Sequence, residues 1–143
     1  MKNIIADFRN ENDSISNFLE TSGRDYDNAD KLIPAYVDLL IKTRFNAALG
    51  IDFANLLQLS NDKAIIEQCD LKDISSLFDS LIKLQDFNLD AYVDAANFQW
   101  AVMDDADKAE KIAKDGIERA LQKITELQQL LDSIKQEAKS DGA

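Results

Sequence analysis

The residues best suited to do chemistry in this chain are carboxylates. No Lys or Arg occurs between Lys83 and Lys108, and the interval is rich in aspartate. Several of these aspartates are four residues apart, a spacing that places side chains on one face of a helix. Like charges four apart destabilise a helix by a few tenths of a kcal/mol each, so a functional reason for them is worth considering. The candidate partner-binding residues are Asp86, Asp90, Asp94, Asn97, Asp104 and Asp105, and we call this set the acidic stripe.

Three interpretations of the acidic stripe are open. The first is a docking surface for a basic protein partner, because complementary charge guides and orients association. The second is a solvated outer face, with Asp104, Asp105 and Asp107 favoured near a helix start by the helix dipole. The third is a calcium loop, but the segment DDADKAEKIAKD lacks the ligand spacing and central glycine of an EF-hand. We therefore expect no metal site.

The residue types needed for most enzymatic chemistry are missing. There is no histidine, which removes the commonest general base and metal ligand. Only four glycines are present, too few for a glycine-rich phosphate loop, and Cys69 is the only cysteine. We expect no enzymatic activity and no cofactor.

The charge balance narrows the class of partner. The chain has 27 acidic and 16 basic residues, a net charge of −11. Nucleic acids and anionic membranes are bound mainly through Lys and Arg, so both are disfavoured. A basic protein partner fits this charge, although such an excess also serves solubility.

The sequence gives no sign of a membrane or secretory segment. No run approaches the ~18 apolar residues of a membrane span, and the start MKNIIADFRNENDS does not follow the signal-peptide pattern. A single cysteine suits a reducing compartment. The expected localisation is cytoplasmic.

The periodicity of apolar residues predicts an all-α fold. Glycine and proline are scarce, which favours long helices over the many turns of a β-fold. We predict a poorly structured or short-helix segment over residues 1–30. Residues 31–143 are predicted to form an array or bundle of five or six helices, including a fifth near residues 89–103 and a long sixth to about Ala138.

The last helix has the clearest pattern. Its apolar residues alternate at spacings of four and three, as in a coiled coil. Its distal half is predicted to pack on the N-terminal helices, on a second copy as a homodimer through this helix, or on another protein. The residues of this seam are Ala113, Ile117, Ala120, Ile124, Leu127, Leu131, Ile134 and Ala138.

The stretch YVDAANFQWAVMDDADKAEKIAKDGIERA resembles a tetratricopeptide-type helical hairpin, mainly over residues 89–120. Tyr92 stands at an aromatic position of that family, and Ala95, Ala109 and Gly116 stand at small ones. The family's leucine–glycine pair and closing proline are absent. The resemblance implies a helical hairpin that binds a protein or peptide.

Small residues at a helix crossing allow two helix axes to approach closely. We therefore expect Gly116 to be a contact point between the fifth and sixth helices, with Trp100 filling the groove beside it. The function predicted from the sequence is a non-catalytic interaction module that binds through a helical groove and the acidic stripe. The alternative is a small acidic inhibitor or immunity-type protein that neutralises a basic toxin or nuclease.

Overall fold

The chain folds into helices joined by short turns. A computed structural model describes residues 1–84 and 88–142, and no strand occurs among them. This confirms the predicted all-α class with a long C-terminal helix. The described residues form seven α-helices rather than five or six, namely α1 (Lys2–Phe18), α2 (Ala29–Lys42), α3 (Gly50–Gln58), α4 (Lys63–Gln68), α5 (Leu71–Leu84), α6 (Leu89–Ala101) and α7 (Ala106–Asp141).

The chain divides into two compact units, an N-terminal unit of Met1–Gln85 and a C-terminal unit of Asp86–Ala143. The sequence predicts a boundary near residue 30, before the helical domain. In the structure α1 is a single helix of 17 residues, and Ile15 on it is buried in the same core as residues of α2. The first 30 residues are therefore part of the N-terminal unit, because this helix contributes to the core.

Tyr36 on α2 lies at the centre of that core. Its ring is fully buried, meets Phe18 edge-on at a centroid distance of 5.0 Å, and stacks on Phe53 of α3 at 6.2 Å. Aromatic pairs in these geometries add stability beyond the area that they bury. Burial raises the pKa of Tyr36 far above its ordinary value, and the nearby carboxylate of Asp52 raises it further.

Asp52 on α3 is a buried carboxylate with two partners. The Tyr26 hydroxyl donates a hydrogen bond of 2.5 Å to Oδ1, and Nε of Arg24 lies 3.5 Å from Oδ2. A buried charge is costly unless it is paired and hydrogen-bonded. These contacts hold the connection that precedes α2 against α3.

Asp30, in the first turn of α2, joins that helix to the turn between α3 and α4. The Ser60 hydroxyl donates to its Oδ1 at 2.6 Å, and the backbone N–H of Asn61 donates to its Oδ2 at 3.2 Å. These two hydrogen bonds, with the Ser60 bond the larger cause, lower the pKa of Asp30 below its ordinary value of 3.8. The carboxylate form is thus favoured in the folded chain.

This link predicts a pH-dependent contribution to stability. A carboxyl group whose pKa is lowered by folding stabilises the fold above its unfolded pKa, and the contribution is lost as the pH falls through the folded pKa. The Asp30→Asn variant should be less stable than the wild type at pH 7, and the difference should shrink below about pH 4. Urea unfolding at pH 7 and at about pH 3 measures both differences. An equal difference at the two pH values would contradict a role for the ionised carboxylate.

The C-terminal unit is a hairpin of two unequal helices. At ~1.5 Å per residue, the 13 residues of α6 span ~20 Å and the 36 residues of α7 span ~54 Å. The shorter helix can therefore cover less than half of the longer one. The distal part of α7 extends beyond the reach of α6.

Candidate functional site

Gly116 on α7 lies at a close contact with α6, as the sequence predicted. Ala91 and Ala95 are fully buried on α6, and Gly116 is buried on α7. A Cβ atom added at Gly116 would lie 2.8 Å from Cβ and 2.9 Å from Cγ of Tyr92. Only glycine fits at position 116 without a shift of the two helices, because Cβ of Tyr92 is bonded directly to the backbone of α6 and cannot turn away.

We predict that even one methyl group at this crossing is destabilising. Gly116→Ala should lower the free energy of unfolding by about 1–3 kcal/mol, since overpacking outweighs the gain of up to about 1 kcal/mol that alanine brings to a helix. Thermal and urea unfolding followed by circular dichroism measure the change. The control is Gln136→Ala on the exposed distal part of α7, which should stay within about 0.5 kcal/mol of wild type. A Gly116→Ala variant as stable as wild type would contradict the close crossing.

An apolar groove of about 260 Å³ runs beside this crossing. It lies between α6 and α7, within the C-terminal unit. Several of its side chains are substantially exposed, including Val93 and Ile117. Among the residues that the structure describes, none of those lining the groove is charged: Leu89, Tyr92, Val93, Ala96, Ala113, Gly116, Ile117 and Ala120. We call this site the hairpin groove.

The prediction that Trp100 fills this groove is wrong. Trp100 lies in the last turn of α6 and is 68% exposed, and it does not line the groove. The space beside Gly116 is instead bordered by Val93 and Ile117. The apolar residues Leu89, Val93 and Ala96, spaced by four and three residues, were the signal for this groove in the sequence.

The residues of the acidic stripe do not all lie on one exposed surface. Asp86 lies outside the described residues. Asp90 and Asn97 are exposed on α6 and seven residues apart, so they share a face, whereas Asp94 is half-buried and makes an interaction within the protein. Asp90 also lies in the first turn of α6, where the helix dipole favours a negative charge.

Asp104 and Asp105 have local roles in the turn between the two helices. Asp104 has a φ of 54°, in the left-handed region that aspartate tolerates better than most residues. Asp105 is the N-cap of α7, and its Oδ1 accepts a hydrogen bond of 3.0 Å from the backbone N–H of Lys108. Both side chains are exposed, but the turn and the cap give a structural reason for these residue types.

Among residues 1–84 and 88–142, no group of three or more Cys, Asp or Glu side chains is arranged to hold a metal ion. None of the helices in these ranges has the length and apolar character needed to cross a bilayer.

The N-terminal unit has an apolar concavity of its own, of about 350 Å³, between α2, α3 and α5. Phe45 lies at its rim, and Arg44 and Phe45 both have positive φ values, 55° and 61°. Such backbone strain is often associated with functional segments. No pattern in the sequence indicated this concavity, because its lining comes from helices that are distant along the chain.

Comparison of the chain with protein-family models, with curated proteins and with solved structures found no match in any of the three.

Proposed function

We propose that the protein is a non-catalytic protein–protein interaction module, and that the hairpin groove receives apolar side chains of a helix or peptide from its partner. The observation that carries this proposal is a concave apolar surface that is open to solvent and whose described lining residues carry no charge. Apolar area removed from water contributes about 25 cal/mol per Å². Binding energy at interfaces is concentrated where one or two large side chains fill such a pocket.

An acidic side chain on the same helix supports a basic partner. Asp90 is exposed on α6, the helix that contributes Leu89 and Val93 to the groove, and the uncharged amide of Asn97 is exposed on the same face. The net charge of −11 also attracts a basic partner, and it does so over a longer distance. Charge of this kind raises the association rate and fixes orientation more than it adds affinity. We assign the apolar groove the main share of affinity and the acidic residues a steering role.

We also propose that the α6–α7 hairpin is tetratricopeptide-like and that the protein is cytoplasmic. The small residues at the α6–α7 crossing and the absence of histidine from the sequence support a binding role over a catalytic one. We further propose that the chain self-associates, because apolar residues of the α7 seam beyond the hairpin groove are exposed.

The groove is tested by introducing one negative charge into it. Val93→Glu and Ala113→Glu change exposed positions that line the groove, so the fold should tolerate both. Gln136→Glu adds the same charge on a distal, exposed part of α7. The full chain is first used to capture its partner from native lysate, and affinities are then measured with the purified partner. The two groove variants should bind at least tenfold more weakly than the wild type, a loss of about 1.4 kcal/mol in binding free energy. The same proteins bound equally by all three variants would overturn the proposed function.

Salt dependence separates the groove from the acidic stripe. Asp90→Lys should slow association at low salt, and the effect should disappear at about 0.5 M salt, where charges are screened within about 4 Å. The equilibrium affinity of the wild type should change little between the two conditions, because apolar contacts dominate. Stopped-flow kinetics with the purified partner measure the association rate and the affinity at each salt concentration. Asp132→Lys on the distal part of α7 is the matched control. Binding that is lost for the wild type at high salt would favour the charge-driven inhibitor instead.

A further inference from the structure

The distal part of α7 carries an apolar face that is open to solvent. Ile124, Leu127, Leu131 and Ile134 are 49%, 65%, 48% and 54% exposed. Their spacing of three and four residues is that of a coiled-coil seam, in which such side chains are buried against another helix. The opposite side of this part of α7 is polar, with Gln122, Gln129 and Gln136 at intervals of seven residues. The distal part of α7 therefore has the amphipathic pattern of a helix that has a partner.

The order of residues along this face identifies the partner. From Ala120 to Ala138 the seam reads Ala, Ile, Leu, Leu, Ile, Ala, which is the same in both directions. A helix with such a seam is complementary to its own antiparallel copy, because each layer then joins residues of the same or similar size. Closed two-fold symmetry requires this self-complementarity. We propose, on the basis of the self-association included in the proposed function, that two copies of the chain pair antiparallel through this face, with the two-fold axis near Gln129.

In this register each seam residue meets a residue of matching size. Ala120 lies opposite Ala138 of the second copy, Ile124 opposite Ile134, and Leu127 opposite Leu131. The small alanines at both ends bring the helix ends close together, while the leucines fill the centre. Side chains packed in this way form the layers of an antiparallel coiled coil.

The charges beside the seam select the same register. Lys123, Leu130 and Glu137 flank one side of it, each directly before a seam residue. In an antiparallel pair this side meets the same side of the second copy. Lys123 of each copy then lies opposite Glu137 of the other, and Leu130 meets Leu130 at the axis. Lys123 also contacts Glu126 of its own helix at 2.7 Å, so the pairing would place it between two carboxylates.

Other arrangements lose these charge pairs. A shift of the second copy by one heptad in one direction places Lys123 opposite Leu130 and Lys114 opposite Lys135. A shift by one heptad in the other direction places Leu130 opposite Glu137. In a parallel pair the two different flanks meet, and Lys123 faces Gln128 while Leu130 faces Lys135. The antiparallel arrangement centred near Gln129 brings together two opposite-charge pairs and no like-charge pair at these positions, which favours it over the alternatives.

The first experiment measures self-association of the full chain. Analytical ultracentrifugation over a range of concentrations should show a reversible monomer–dimer equilibrium. Glu137→Lys and Lys123→Glu should each raise the dimer dissociation constant about tenfold, because each change places two like-charge pairs across the interface. The double variant with both changes should return to within a few-fold of the wild type. Glu118→Lys, an equal change of charge on the outward side of α7, should have little effect.

The second experiment determines the orientation by cysteine cross-linking in a Cys69→Ser background. Ile124→Cys mixed with Ile134→Cys should form a disulfide between copies under mild oxidation, whereas neither variant alone should do so. Within an antiparallel pair, position 124 is ten residues, or ~15 Å, from its own counterpart, well beyond the range of a disulfide. In a parallel pair each variant would cross-link with itself.

The outcomes separate this inference from the groove binding. A chain that is monomeric at all concentrations overturns the pairing, and so does equal weakening by Glu137→Lys and Glu118→Lys. Self-cross-linking of the single variants overturns the antiparallel orientation while leaving self-association intact. None of the positions changed in these experiments lines the hairpin groove, although Ala120 belongs to both surfaces. Groove binding is tested separately, by the affinity of the Ala113→Glu variant for its protein partner.

Discussion

The close approach of α6 and α7 at Gly116 is the constraint on which the C-terminal unit depends. A Cβ atom at that position would come within 2.8 Å of Cβ of Tyr92, so the two helix backbones are as near as side-chain packing allows. The apolar groove lies beside this contact, between the same two helices. It also fixes where α6 runs along α7, and hence which part of α7 lies beyond its reach.

The two apolar surfaces of the C-terminal unit follow from this single hairpin. Near the crossing, α6 and α7 form two walls, and the result is a concave groove suited to side chains from a partner. Farther along α7 there is one helix only, and its seam from Ile124 to Ile134 is a convex ridge that suits another helix. One helix thus contributes to two different apolar surfaces, because α7 is about 23 residues longer than α6, a difference of ~35 Å.

The N-terminal unit is held together differently. Its core is built around the buried ring of Tyr36, and polar links tie the irregular connections to it. Asp52 accepts from Tyr26, and Asp30 accepts from Ser60, in both cases across more than 20 residues of sequence. These two carboxylates therefore act as structural acceptors. In the C-terminal unit, Asp105 caps α7, Asp94 is half-buried and Asp90 is exposed.

The sequence by itself determined the helical class, the long last helix, its apolar seam and the close contact at Gly116, because helical periodicity and residue size are local properties. It did not determine that residues 2–18 form one helix, since the burial of Ile15 depends on residues of α2 that are distant along the chain. It also placed Trp100 in a groove, whereas the tertiary structure leaves that side chain exposed. The shape of the groove was decided by the relative rotation of two helices about their axes, a long-range packing result that spacing along one helix does not contain.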